Sequence, residues 1–198
     1  MKSLKTGIII LAAGSSSRLG QPKQLLLYKG KTLIIKAIET ALWSSAHACV
    51  LILGANFESI TKVVQNTNVD IIINHDWEKG MASGMQKGLD FLEKKLAPDQ
   101  VILMLCDQPF VDSELLNNLI NKQTETGKGI IASHYNGISG VPVLFSSIYF
   151  SELYDLKGSE GAKKVLYKHS GDLAIVDFPD AAIDIDTLED YEKLKKGS

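Results

Sequence analysis

The stretch GIIILAAGSSSRLGQPK, residues 7–23, decides the fold of this chain and predicts a binding site. The apolar run at residues 8–11 is typical of a strand that is buried on both faces of a sheet. The run ends in a loop of small residues, whose backbone N–H groups can approach an anion closely. Arg18 and Lys23 follow, and both side chains can hold phosphate oxygens. The stretch therefore predicts a polyphosphate site at the carboxyl end of the first strand.

The spacing of the loop separates it from two common phosphate-binding motifs. The Walker motif requires a Lys directly after its second Gly, whereas Gln21 follows Gly20 here. The dinucleotide motif G-x-G-x-x-G is absent, because Ser15 and Ser16 follow Gly14. The loop resembles instead the nucleotidyltransferase signature L-x-x-G-x-x-x-R-x-G-x-x-K, the alternative being a Gly/Ser turn beside unrelated surface cations. The fixed positions of that signature are filled by Leu11, Gly14, Arg18, Gly20 and Lys23.

Length and composition narrow the class of protein. A chain of 198 residues with 45% hydrophobic residues can bury a full core, and we expect one domain over residues 1–198. The net charge of −2 gives no general attraction to nucleic acid or to a membrane surface, and no apolar segment approaches the ~18 residues of a membrane span. The N-terminus leaves no room for a signal peptide, and Cys49 and Cys106 lie in apolar runs typical of buried thiols. We therefore expect a cytoplasmic protein that binds neither nucleic acid nor membrane.

Apolar runs and amphipathic stretches alternate along the chain. After the first strand, the pattern predicts strands at residues 48–53, 70–74 and 101–106, with helices between them. Such alternation implies right-handed crossovers and a mainly parallel sheet. Two further strands, at residues 130–133 and 143–145, are too close for a crossover helix and predict an antiparallel pair. The expected class is α/β, with a mainly parallel sheet that contains an antiparallel strand pair.

Local patterns also predict where particular side chains lie. Met81, Met85 and Leu89 recur at helical spacing, which predicts that all three lie in the core. Ser113 is predicted to cap the helix that follows the fourth strand. Residues 182–186 are predicted to be extended, before a final helix.

Acidic residues stand where the chain leaves this predicted sheet. Asp107 follows the apolar fourth strand directly, and Asp184 and Asp186 belong to the late extended segment. Two carboxylates that face a phosphate site suit Mg²⁺, which binds oxygen ligands and substrate phosphates together. We expect Asp107 and Asp186 to be the metal ligands. Asp184 is the alternative to Asp186, and a purely structural role in a turn or helix cap is the alternative for both ligands.

The candidate residues include no obvious general base. A hydroxyl nucleophile would benefit from one, whereas a phosphate monoester, with a second pKa of ~6, is largely ionised at neutral pH. Cations then relieve the repulsion between the two anions. The pattern predicts nucleotidyl transfer onto a phosphate, with Asp107, Lys23 and Arg18 as the catalytic residues. Gln108 can present its amide to a planar heterocycle and is the expected acceptor contact, with a turn contact as the alternative.

Blocks along nearly the whole chain resemble the molybdenum cofactor cytidylyltransferase branch of the MobA-like NTP transferases. They are residues 11–23, 74–83, 106–109, 140–145 and 184–187. The resemblance implies a Rossmann-like three-layer nucleotidyltransferase fold, a need for Mg²⁺, and transfer of CMP from CTP to the phosphate of molybdopterin with release of pyrophosphate. It also implies contact of the triphosphate with Gly14, Arg18 and Lys23. The remaining nucleotide-binding residues that it implies are Leu11, Ala12, Ala13, Gly80 and Ser83.

Two departures from that branch leave the acceptor open. The block Gly-Asp-x-Gly-Ala-Arg is common in the branch, whereas residues 158–163 read GSEGAK, and Val141 stands where many members have a polar residue. The alternatives are a GTP or other NTP donor, another phosphorylated acceptor such as a sugar phosphate, and a non-catalytic chaperone that binds molybdopterin or a nucleotide. We expect CTP over GTP, because the Ala13 methyl would fill space that guanine needs. Transient contact with a molybdoenzyme or its chaperone is the expected protein partnership.

Overall fold

The computed structural model describes residues 4–196 and is built around a mixed sheet. The strands are β1 (Thr6–Ala12), β2 (Leu27–Tyr28), β3 (Lys31–Thr32), β4 (Ala48–Leu53), β5 (Asp70–Ile73), β6 (Gln100–Leu105), β7 (Ile130–Tyr135), β8 (Ile138–Ser146) and β9 (Leu173–Asp177). The helices are α1 (Leu33–Leu42), α2 (Phe57–Val64), α3 (Met81–Lys95), α4 (Ser113–Thr126), α5 (Phe150–Asp155), α6 (Lys163–Lys168) and α7 (Leu188–Lys196).

Seven strands form the main sheet in the order β5-β4-β1-β6-β8-β7-β9, while β2 and β3 form a separate small hairpin. Strands β5, β4, β1 and β6 are mutually parallel, and β8 is antiparallel to both β6 and β7. The predicted α/β class, with its mainly parallel sheet and antiparallel strand pair, is confirmed. The pair is longer than predicted, because β7 and β8 are joined by a tight turn at Asn136 and Gly137, both with positive φ.

Alternating side chains of the strands divide the core into two layers. Ile8 and Ile10 face one side of the sheet, where α1, α2 and α4 pack, and Ile9 faces the other, where α3, α5 and α6 pack. This is the three-layer arrangement expected of the fold. A third cluster joins Leu19 of the signature loop to Ile185 and to Leu194 of α7. The C-terminal segment is thereby packed beside the signature loop.

Two local predictions are wrong, and a third holds only in part. Met81 is 47% exposed, because it is the first residue of α3 and lies beyond the end of the buried face that contains Met85 and Leu89. Ser113 is the first residue of α4, and the cap is Asp112, whose carboxylate accepts a hydrogen bond from the Leu115 N–H at 2.9 Å. In the segment predicted to be extended, residues 182–186, Ile183 has extended φ and ψ, whereas Ala182 is the last residue of a 3-10 helix at Pro179–Ala182. The segment joins no sheet, and the Ile185 N–H donates to the Asp107 carbonyl.

Within residues 4–196, the structure contains no helix that is both long enough and apolar enough to cross a membrane.

Candidate active site

The signature loop is held in place by a side chain that the sequence reasoning missed. Gln24 is fully buried, and its Nε2 donates to the carbonyl oxygens of Ala12 at 2.9 Å and Gly14 at 3.0 Å. The Lys23 N–H donates to the Ser16 hydroxyl at 3.0 Å, which closes the loop on itself. Gln24 directly follows Lys23, the last fixed position of the signature, and this adjacency could have drawn attention to it. Its amide fixes the backbone that leads from β1 to the two cations.

The structure brings together the four charged residues that the sequence singled out. The Lys23 ammonium contacts Asp107 Oδ2 closely and lies 3.0 Å from Asp186 Oδ1. Arg18 Nη2 lies 2.8 Å from the other oxygen of Asp186. The hydrogen bond from the Ile185 N–H to the Asp107 carbonyl, 3.0 Å long, aligns the C-terminal segment with the end of β6. Residues far apart in sequence thus form one ion cluster at the carboxyl edge of the sheet.

This ion cluster determines the protonation of its members. Burial lowers the pKa of the Lys23 ammonium, but the charge of Asp107, its hydrogen bond and the weaker contributions of Asp186 together raise that pKa above its ordinary value. The hydrogen bond from Lys23, helped by the charges of Lys23 and Arg18, lowers the pKa of Asp186. Burial raises the pKa of Asp184, and the charges of Asp107 and Asp186 raise it further. At neutral pH, Lys23 and Asp186 are therefore ionised.

The carboxylates also fit a divalent cation. Asp107 is buried, and its Oδ1 has no hydrogen-bond partner in the part of the chain that the structure describes. An unpartnered buried carboxylate oxygen is costly unless a further ligand satisfies it. No group of three or more His, Cys, Asp or Glu side chains among residues 4–196 converges as a metal site. Two carboxylates together with substrate phosphates are, however, a typical ligand set for Mg²⁺.

A cavity of about 320 Å³ adjoins the ion cluster. Its lining includes these residues singled out from sequence: Leu11, Ala12, Ala13, Gly14, Lys23, Gly80 and Asp107. Trp77 and Gly84 complete the wall on the side of α3. Ser83 does not belong to this lining, because its hydroxyl lies 2.8 Å from the Gly80 carbonyl and 2.9 Å from the Asn74 amide nitrogen. Ser83 therefore holds the Gly80 loop in shape.

A larger cavity of about 480 Å³ lies beside the first. The two cavities share Leu11, Met81 and Leu105 as lining residues. Most of the other side chains around the larger cavity are apolar: Met85, Leu103, Ile138, Val141, Val143, Ala162, Leu166 and Ala182. Its polar lining includes Gln108, whose amide donates to the Val141 carbonyl at 3.1 Å, together with Tyr135, Lys163 and Asp184. The larger cavity is thus an apolar chamber with a few polar groups.

A close backbone contact ties the walls of the two cavities together. Gly80 has a φ of +98°, and a Cβ built on it would lie 2.3 Å from the Gly158 carbonyl oxygen. The Ala82 N–H donates to that same oxygen at 3.2 Å. Only a glycine at position 80 permits this approach, because any side chain would overlap the backbone at residue 158.

A loop of small residues and two cations after β1 lies opposite Asp107, which follows β6, and Asp186 of the C-terminal segment. This arrangement on a three-layer fold is typical of a nucleotidyltransferase. The MobA-like NTP transferase domain matches residues 8–173, and the chain belongs to that family. The sequence-based identification of the family and of its enzyme class is therefore confirmed.

Relatives from three organisms match nearly the whole chain. The chain is 30% identical to the purine catabolism protein PucB of Bacillus subtilis (strain 168), with 95% of each chain covered. It is 29% identical to nicotine blue oxidoreductase of Paenarthrobacter nicotinovorans, with 94% of each covered. It is 25% identical to the molybdenum cofactor cytidylyltransferase of Escherichia coli (strain K12), over 95% of this chain and 94% of the relative.

Solved structures agree on the fold. The crystal structure of Rv0371c from Mycobacterium tuberculosis H37Rv superposes with a TM-score of 0.85 at 28% identity, covering 99% of this chain and all of the other. A complex of that protein with manganese superposes with a TM-score of 0.80 at 25% identity, covering 98% of this chain and 100% of the other. Divalent metals are common among nucleotidyltransferases of this family, in keeping with the carboxylates described above.

Proposed function

We propose that the protein transfers CMP from CTP to the phosphate of molybdopterin and releases pyrophosphate. The observation that carries this proposal is the pair of adjoining cavities, one beside the ion cluster and the other mostly apolar. The first fits a nucleoside triphosphate, and the second fits a bulky acceptor whose phosphate reaches the shared boundary. The similarity to the E. coli molybdenum cofactor cytidylyltransferase supports the same acceptor.

In the donor cavity, the signature loop holds the triphosphate. Backbone N–H groups near Gly14 and the charge of Lys23, which line the cavity, bind its oxygens. Arg18, which does not line the cavity but is paired with Asp186, adds a second positive charge. The carboxylates of Asp107 and Asp186 raise the pKa of Lys23 above a value that already lies far above neutral pH, so its ammonium is protonated and offers a positive charge to the reacting phosphates. Leu11, Ala12, Ala13 and Gly80 line the nucleotide, while Ser83 acts indirectly by holding the Gly80 loop.

Asp107 and Asp186 are the proposed ligands of Mg²⁺. The unpartnered Oδ1 of Asp107 and the ionised carboxylate of Asp186 are the atoms best suited to this role. When bound, the cation neutralises negative charge on the phosphate oxygens. Because Lys23 bridges both carboxylates, we expect its ammonium to move toward the triphosphate when substrate binds.

The reaction needs no general base from the protein. An oxygen of the ionised acceptor phosphate attacks the α-phosphorus of CTP and forms a new P–O bond. The bond between the α-phosphorus and the bridging oxygen breaks, and pyrophosphate leaves with the electron pair. Arg18 and Lys23 stabilise the charge that builds up during this exchange.

The apolar second cavity favours a heterocyclic acceptor over a sugar phosphate. A sugar would leave its hydroxyls facing Leu103, Val143 and Leu166, which offer no hydrogen bonds from their side chains. A planar heterocycle buries its faces there and can bond at its edge to Gln108. Lys163, whose ammonium has no carboxylate partner within residues 4–196, supplies a positive charge at the rim of the cavity.

We further propose that the chain acts as a single nucleotidyltransferase domain in the cytoplasm. Two buried free thiols, Cys49 and Cys106, suit a reducing compartment. The nucleotidylated product would then pass to a molybdoenzyme or its chaperone through transient contact.

The test is a panel of the four NTPs with purified molybdopterin, with and without Mg²⁺. We expect Mg²⁺-dependent pyrophosphate release and a cytidylylated product in mass spectrometry, with CTP giving the highest kcat/KM. Transfer to a sugar phosphate but not to molybdopterin would show that the proposed acceptor is wrong and that a sugar phosphate is the acceptor. Binding of molybdopterin and CTP without pyrophosphate release would favour the non-catalytic chaperone.

A further inference from the structure

Met81 lies where the smaller cavity, proposed for the donor, meets the larger cavity, proposed for the acceptor. It lines both, as do Leu11 and Leu105, which are register partners on the adjacent strands β1 and β6. Leu11 and Leu105 are half-buried and belong to the sheet, so they form a fixed floor. Met81 begins α3 and is 47% exposed, whereas Met85, one turn later, is 1% exposed. Met81 is therefore the most exposed side chain of the three at the boundary.

The backbone that carries Met81 is held on both sides. Gly80 packs directly on Gly158, and the Ala82 N–H donates to the Gly158 carbonyl at 3.2 Å. The Met81 sulfur reaches the same wall, since it would lie 3.6 Å from a Cβ built on Gly161. A methionine side chain is unbranched and rotates about three bonds, so it can change position while its backbone stays fixed.

We propose that Met81 is a positioning residue that closes the boundary between the two cavities until an acceptor displaces its side chain. The inference builds on the proposed nucleotidyl transfer but not on the identity of the acceptor. The competing reaction is attack of water on the α-phosphorus of the NTP, which forms a nucleoside monophosphate and pyrophosphate and wastes the donor. A chamber of about 480 Å³ holds many waters when no acceptor fills it. The thioether covers the donor phosphates against them.

The same side chain then aligns the two substrates. Once the acceptor enters, the Met81 side chain packs against it. The acceptor phosphate can then reach the donor only across Leu11 and Leu105, which line both cavities. Small displacements of reacting groups are costly, because an error of about 1 Å can slow a reaction by roughly a hundredfold. Loss of the side chain should therefore raise hydrolysis and lower transfer, a pair of changes that a merely structural role would not produce.

The experiment measures CMP formation from saturating CTP and Mg²⁺ without any acceptor, in wild type, Met81→Ala, Met81→Leu and Leu42→Ala. Leu42 is a matched control, because it is 42% exposed on α1 and lines neither cavity. We expect CMP formation to rise about fivefold or more in Met81→Ala. Met81→Leu, which conserves volume, should restore the wild-type rate to within about twofold. Leu42→Ala should match wild type.

A rate for Met81→Ala within about twofold of wild type, or an equal rise in Met81→Leu or Leu42→Ala, would overturn the proposal. A second arm adds molybdopterin and measures the ratio of transferred product to CMP, which should fall in Met81→Ala. If wild type transfers nothing to molybdopterin, the proposed acceptor is wrong, and the role of Met81 is decided by the acceptor-free rates alone.

Discussion

The two halves of the main sheet differ in the relative direction of their strands. The donor half, β5-β4-β1-β6, is entirely parallel, so its carboxyl ends lie on one edge. The signature loop after β1 and Asp107 after β6 meet there as a direct result. The acceptor half, β8-β7-β9, contains the antiparallel pair, whose turn extends past that edge and forms a wall of the larger cavity.

The contrast in chemistry follows the contrast in architecture. The donor half presents cations, carboxylates and backbone around a small cavity, which suits the invariant triphosphate. The acceptor half presents mostly apolar side chains around a larger cavity. It also contains Val141 and the loop at residues 158–163, where the sequence departs from the cytidylyltransferase branch. We therefore propose that the donor half carries the reaction chemistry and that the acceptor half selects the acceptor.

The largest effect is expected at Asp107, where the halves join. Asp107→Asn preserves shape but removes the charge that faces Lys23 and the proposed metal, so kcat should fall by ~10²–10³ with the fold retained. Steady-state kinetics at saturating Mg²⁺ and a thermal melt test this. Asp112→Asn is the matched control, because Asn also caps helices well. Retention of more than about a tenth of wild-type kcat would remove Asp107 from the catalytic residues.

The next largest effects are expected at two lysines, Lys23 in the donor half and Lys163 in the acceptor half, and they should affect different substrates. Lys23→Ala should weaken CTP binding by roughly ten- to a hundredfold, because charge-assisted hydrogen bonds contribute ~1.5–3 kcal/mol. Lys163→Ala should leave CTP affinity unchanged and raise the KM of the acceptor, since Lys163 lines only the larger of the two cavities. Calorimetric titration with CTP and steady-state kinetics measure both. Equal loss of CTP affinity in the two variants would contradict the division of roles.

The contact between the halves should be sensitive to a single methyl group. Gly80→Ala places a Cβ 2.3 Å from the Gly158 carbonyl oxygen at a φ of +98°, which should destabilise the fold by ~1–3 kcal/mol. Gly161→Ala is the control, because its nearest neighbour, the Met81 sulfur, is 3.6 Å away. Chemical denaturation compares the two free energies of unfolding. Equal free energies of unfolding for the Gly80→Ala and Gly161→Ala variants would show that the loop at residue 158 shifts without cost to accommodate the added methyl group.

Asp186 and Asp184 should respond to pH in opposite directions. The lowered pKa of Asp186 means that its ionised form stabilises the fold at neutral pH, and this contribution is lost as the pH falls through that pKa. The raised pKa of Asp184 means that stability is lost as the pH rises through it. In EDTA at pH 7, Asp186→Asn should therefore lower Tm and Asp184→Asn should raise it.

Both shifts should vanish in acid, below all the pKa values concerned, because the carboxyls are then neutral like the amides that replace them. In activity with Mg²⁺, Asp186→Asn should be the more damaging change. The reverse order would make Asp184 the metal ligand.

The smallest effect concerns base choice within the donor half. The Ala13 methyl borders the donor cavity beside Gly54 and Trp77, so Ala13→Gly should relax the preference for CTP over GTP. A methyl group changes such selectivity by only ~1–3 kcal/mol. The ratio of kcat/KM values for the two nucleotides measures it. A wild-type preference for GTP would refute the proposal. A CTP preference that Ala13→Gly does not change would show that another residue determines the base preference.

The donor half was predictable because its information is local. Parallel strands buried on both faces read as apolar runs, and β4 matches its predicted bounds of residues 48–53. The signature occupies one continuous stretch, so Arg18 and Lys23 were identified together. Asp107 could be placed near them because it directly follows a buried strand, β6, and Asp186 because it belongs to a segment that the sequence predicts to be extended. The ion cluster at Lys23 agrees with that expectation.

Other features depend on contacts that no local pattern contains. Helical periodicity identified the face shared by Met81, Met85 and Leu89 but not the point at which neighbouring elements stop covering it. Gln24 looks like an ordinary polar residue until its amide is seen between two carbonyl oxygens of the signature loop. The segment at residues 182–186 has strand-like alternation, yet its backbone bonds to the end of β6.

The sequence by itself determined the α/β class, the family and the charged residues that meet in the ion cluster, because hydrophobic period and a contiguous motif are properties of the chain alone. The tertiary structure decided that the site has two chambers, that Met81 stands between them, and that Gly80 and Gly158 touch. These features arise where segments distant in sequence pack together. Their geometry is set by the close packing of the whole molecule, which excludes most alternative arrangements of the same side chains.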